Sequence, residues 1–109
     1  MSGDLSEEPF FEVDTPLGFS VRVSRAHWTM ITTIKHPVMA GLEEEVQAVL
    51  IAPDEVRLSR NDQSVHLFYK MQHEKRWVCA VAKRLNGEGF LITAYPTDAI
   101  KEGERLWPK

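Results

Sequence analysis

The stretch RWVCAVAKRLNGEGFLITAYPTD, residues 76 to 98, decides how this chain folds. Trp77, Val78, Cys79, Ala80, Val81 and Ala82 run without a polar side chain, so the segment reads as a strand buried on both faces. Such a strand belongs in the middle of a sheet, with helices covering one side. Asn86-Gly87-Glu88-Gly89 supplies a hairpin turn. The returning strand places Phe90, Leu91 and Ile92 in the core and finishes on two hydroxyl side chains. Strand side chains alternate faces with period two, so Thr93 and Tyr95 share one face. Pro96 is expected to stop that strand, and the tail TDAIKEGERLW to fold back beside it.

Working outward, SVHLFYKMQ is a further strand, turned by HEK, and DEVRLS is another before it. Upstream, GLEEEVQAVLIAP is a helix with Leu42, Val46, Val49 and Leu50 on one side. Glu43, Glu44 and Glu45 suit the positive end of its dipole, and Pro53 closes it. An earlier helix is capped by Ser24 and starts at Arg25, with Trp28, Ile31 and Ile34 or Lys35 along one side. Pro37 ends it, which leaves His36 at a helix terminus. FFEVD and FSVRVS flank the turn TPLG as a first hairpin. The resulting class is α+β: an N-terminal hairpin and two helices packed on an antiparallel β-meander.

The 109 residues fit one domain, taken as residues 10–109 behind a loose acidic leader at 1–9. Apolar and charged fractions of 43% and 27% are those of a globular protein rather than a disordered one. The single cysteine, Cys79, excludes an internal disulfide and suits a reducing compartment. The chain lacks both a membrane-length apolar run and the basic start of a signal peptide. A cytoplasmic protein without a membrane partner is expected. The net charge of -3 hides an asymmetry. Asp4, Glu7, Glu8, Glu12 and Asp14 crowd the start. Arg57, Arg60, Lys70, Lys75, Arg76, Lys83 and Arg84 then outweigh Asp62 and Glu74, a local field that a polyanion could use.

The chain has no glycine-rich phosphate loop, nucleophile elbow or metal-ligand spacing, and no cofactor is implied. His66, His73 and Cys79 are too widely separated for a usual zinc pattern, and no metal site is expected. The remaining set is His36, Arg60, Thr93 and Tyr95, with Arg57, Tyr69, Lys70 and Lys83 beside them. These residue types suit metal-free RNA cleavage. That reaction needs an acid and a base around the 2′-hydroxyl and the leaving 5′-oxygen, and donors around the phosphate. Histidine titrates near neutrality, arginine grips phosphate bidentately, and hydroxyls donate or position. Each residue also has a plainer use. His36 can cap its helix, Arg60 can pair with Asp62, and Lys70 and Lys83 can protect sheet edges. His27 and His66 look less useful.

The order of the segments HWTMITTIKHPVM, VQAVLIAPDEVRLSRNDQSVHLFYK, WVCAVAK and FLITAYPTDAIKEGERLW resembles the phage-associated branch of the barnase–EndoU–colicin–RelE-like (BECR fold) nucleases. The resemblance implies a RelE/barnase-like fold and a toxin-type endoribonuclease acting by general acid/base transesterification. Its implied site is a helix-borne histidine, basic residues on the sheet, and a hydroxyl residue near the end of the last strand. Here those are His36, Arg60 with Lys70 or Lys83, and Thr93 with Tyr95. Where a second polar residue, often histidine, is expected in the first helix, this chain has Met30 beside Ile31. The implied partners are RNA (tRNA or mRNA), an antitoxin or immunity protein, and a second copy as a homodimer. The alternative is a non-catalytic nucleic-acid- or protein-binding module on the same fold.

Overall fold

Ser24 ends a strand and starts a helix, because its hydroxyl accepts the His27 N–H at 3.0 Å. In the computed structural model, which describes residues 9–100 and 103–108, the cap joins β2 (Ser20–Ser24) to α1 (Arg25–Met30). β2 pairs antiparallel with β1 (Pro9–Asp14), giving the expected first hairpin. Pro9, assigned by the sequence to the leader, opens β1; the rest of that leader lies outside the described residues.

α1 runs on into a π turn, Ile31–Lys35, in which the His36 N–H bonds the Ile31 carbonyl at 2.7 Å. Trp28 and Ile31 are buried as expected, but Ile34 is 75% exposed. The wider π turn advances each residue through a smaller angle, so Ile34 swings away from the sheet. His36, five residues after Ile31, comes back toward it. A short 3₁₀ turn, Pro37–Met39, then buries Met39.

α2 (Glu43–Ile51) buries Val46, Val49 and Leu50 completely. Each such side chain stabilises the fold by roughly 1.5–3 kcal/mol relative to exposure. The helices are tied together by the Trp28 indole N–H, which donates to Glu43 Oε2 at 3.0 Å. At the far end the ammonium of Lys70 donates to the Ala52 carbonyl at 2.9 Å, satisfying an acceptor just past the last turn.

Among the described residues, seven strands form one sheet in the order β1-β2-β6-β5-β4-β3-β7. β3 (Glu55–Leu58), β4 (Val65–His73), β5 (Arg76–Leu85) and β6 (Glu88–Thr97) make the expected antiparallel meander. Asn86 and Gly87, at φ +54° and +82°, turn the β5–β6 hairpin, a conformation that glycine adopts freely and asparagine tolerates. β5 is central. Val78, Ala80 and Ala82 pack toward the helices, while Cys79 and Val81 join Leu67 and Tyr69 in a second cluster on the opposite, outer face.

Three features depart from the sequence reading. The hairpin docks on the meander through a short parallel pairing, Val21 with Gly89 and Arg22 with Phe90, which residue alternation cannot reveal. β6 runs through Pro96 to Thr97, with Pro96 opposite Val78. There β2 no longer pairs with β6, and a strand with a single neighbour tolerates a missing N–H. The tail does not lie beside β6: β7 (Glu104–Trp107) pairs with β3 at the far edge. Ile100, on the way there, packs on the outer cluster. None of the described helices is long and apolar enough to cross a membrane.

Candidate functional site on the outer face of β6

Alternation along β6 puts Thr93 opposite Val81 and Tyr95 opposite Cys79, both on the outer face. A bulge at Ile92 resets the pattern just before them, so Leu91 and Ala94 still face the helices. Tyr95 is half-buried against Cys79 and Tyr69. Burial, reinforced by the neighbouring Cys79 thiol and Tyr69, pushes its phenol well above the ordinary range. Tyr95 therefore stays neutral, with its hydroxyl engaged by the Cys79 side chain. Thr93 Oγ1 is buried and has no hydrogen-bond partner among the described residues.

His36 meets this face from the end of the π turn. Its ring centroid lies 5.3 Å from that of Tyr95, with the planes tilted by 43°. Two local features hold it there. The π turn rotates it toward the sheet, and Pro37 forces it out of helical geometry, at φ -143° and ψ 77°. The exposed Ile34 and Val38 flank it.

The other expected site residues divide. Lys83 lies on the outer face opposite Phe90, two residues along β5 from the partner of Thr93, or about 7 Å. It pairs loosely with Asp62 at 3.5 Å. Hydrogen bonds from the Ser64 hydroxyl and N–H hold the Asp62 carboxyl below its ordinary value of 3.8. Arg57 is on the same face, opposite Leu67, but three strands from Thr93. Its guanidinium is tied to Glu55 and to the Gly103 carbonyl. Tyr69 is fully buried in the outer cluster. Lys70 is committed to the end of α2.

Arg60 stands in the β3–β4 turn, where the Ser59 N–H bonds the Val65 carbonyl. Val65 is four residues along β4 from Tyr69, the residue level with Cys79 and Tyr95. That separation is about 13 Å along the strands, with two strands more across. The structure thus brings His36 against Tyr95, two residues along β6 from Thr93, with Lys83 further along the same face, and leaves Arg57, Arg60 and Lys70 apart from them. The basic segment 57–84 does not form one face, because strand alternation and turns send its charges to both sides of the sheet.

The sequence reading gave Arg22 no role, ranked His27 as less useful and placed Phe90 in the core, whereas Phe90 is only half-buried and lines a cleft. Arg22 stacks its guanidinium 4.7 Å from the centre of the Phe90 ring and pairs with Glu88 at 2.7 Å. His27 bonds through Nε2 to the Ile92 carbonyl at 2.9 Å, which places it beside the residue preceding Thr93. A carbonyl only accepts, so Nε2 carries the proton. These residues come together through the β2–β6 docking, for which the sequence carries no signal. They line a cleft of about 780 Å³ together with Ser24, Lys83, Leu91 and Ile92. Among the described residues no cluster of three metal-ligating side chains occurs.

Comparison with known proteins gives no match: no family model, no curated protein and no solved structure matches this chain.

Proposed function

We propose that this chain is a metal-independent endoribonuclease of toxin type, built on a RelE/barnase-like version of the α+β fold and acting in the cytoplasm. The observation that carries this reading is the contact between His36 and Tyr95, on the face that also holds the unpartnered Thr93 hydroxyl. One proton-transfer group then meets a strand face that carries two hydroxyl side chains.

In the reaction, the 2′-oxygen attacks the adjacent phosphorus as a base takes its proton. The bond from phosphorus to the 5′-oxygen breaks, an acid protonates that oxygen, and a cyclic 2′,3′-phosphate remains. His36 serves as the acid or the base. Tyr95, held neutral, and Thr93, once the substrate opens access to its buried hydroxyl, donate to the phosphoryl oxygens, and Lys83 supplies positive charge from further along the same face. An antitoxin or immunity protein would act by covering His36.

The deciding experiment is incubation of purified protein with total RNA and tRNA in EDTA, comparing the wild type with His36→Ala. Cleavage by the wild type and its loss in the variant are expected. A clean wild-type preparation that leaves RNA intact overturns the proposal.

A second reading, a non-catalytic nucleic-acid- or protein-binding module, is favoured by one observation: Arg57, Arg60 and Lys70 lie away from His36. It predicts salt-sensitive RNA binding without turnover.

A further inference from the structure

We propose that the cleft between β2 and β6 is a nucleotide site, seating one base and its phosphate from a single-stranded RNA. The choice of RNA over a free nucleotide rests on the ribonuclease reading; the site itself rests on the cleft. Its volume of about 780 Å³ lies within the usual range for small-molecule pockets. Arg22, His27 and Lys83 line it, and no acidic residue does. The carboxylates that pair with its cations, Glu88 and Asp62, stand outside it and are well exposed. Exposed pairs of this kind contribute little, so a phosphate can compete for both cations at small cost.

Apart from Ser24, the rest of the wall is apolar, including Phe90, Leu91 and Ile92 from β6. The Arg22 guanidinium carbon already sits over the Phe90 ring. Both surfaces accept a nucleobase, whatever its identity, because every base has a π face. The bond from His27 Nε2 to the Ile92 carbonyl fixes its ring orientation at the cleft. Ile92 is followed directly by Thr93. A nucleotide in the cleft therefore lies next to the His36–Tyr95 face, and the strand leaving it runs along β6.

The test is a titration of isotope-labelled wild-type protein, followed by backbone amide NMR, with AMP, adenosine, inorganic phosphate and a deca-adenylate. AMP and the decamer are expected to shift Arg22, Phe90, Leu91 and Ile92, the decamer at lower concentration. Phe90→Leu should weaken decamer binding about 10-fold or more. No shifts at the cleft, or shifts with phosphate equal to those with AMP, would overturn the inference. Cleft binding by a protein that never cuts RNA upholds the site and ends the ribonuclease reading. Cleavage with an unchanged KM in Phe90→Leu does the reverse.

Discussion

His36 and Tyr95 lie ring against ring at 5.3 Å, one from a π turn before the meander and the other from its last strand. Tyr95→Phe keeps that contact and removes only the hydroxyl. Loss of a donor aimed at developing charge is worth on the order of 10² in rate. Single-turnover cleavage should fall by about that factor, while the melting temperature changes little. An unchanged rate would remove Tyr95 from the reaction.

Thr93→Val separates function from stability. The Thr93 hydroxyl is buried without a partner among the described residues, and such a group costs about 1–3 kcal/mol. Valine has nearly the same shape. The variant should be at least as stable as the wild type in urea, and slower on RNA. A less stable Thr93→Val would mean that the hydroxyl serves the fold.

Lys70→Met should behave in the opposite way. It removes the donor that satisfies the Ala52 carbonyl after α2. A loss of about 1 kcal/mol is expected in denaturant, with RNA cleavage unchanged. A large loss of cleavage at full stability would return Lys70 to the substrate site.

His66 makes stability depend on pH. It is buried between Phe19 and Phe68, and burial, with the Arg84 charge adding, lowers its pKa from the ordinary 6.5. Below about pH 6.5 the unfolded chain therefore binds more protons at this position than the folded one. The stability that neutral His66 provides is complete above that pH and declines as pH falls toward the lowered folded value. The urea midpoint should be lower at pH 5 than at pH 7.5, and His66→Leu should shrink the difference. Asp62 does not contribute in this window, because its carboxyl titrates below 3.8.

Gly89→Ala tests the docking of the hairpin. A Cβ there would sit 2.6 Å from the Ser20 carbonyl oxygen and 2.9 Å from two carbons of the Phe19 ring. β2 and β6 would have to separate, at about 1–3 kcal/mol. Denaturant unfolding should show that loss, and nucleotide binding in the adjoining cleft should weaken with it.

The sequence by itself determined most of the elements and several of their inward faces. The Ser24 cap, the glutamate-led helix with Val46, Val49 and Leu50, and the doubly apolar β5 all follow from local rules. So does the shared face of Thr93 and Tyr95, because a pleated strand alternates wherever it lies. The position of His36 before Pro37 was equally legible.

Only the tertiary structure decided which of these residues meet. Arg60 and Lys70 have the right chemistry and a plausible order, yet strand register sends one to a distant turn and the other to the end of α2. Arg22, His27 and Phe90 looked ordinary and gained a shared cleft when β2 docked parallel to β6. Periodicity says which way a side chain points within its own element. It does not say which element will be its neighbour, because that is set by packing and register over the whole sheet.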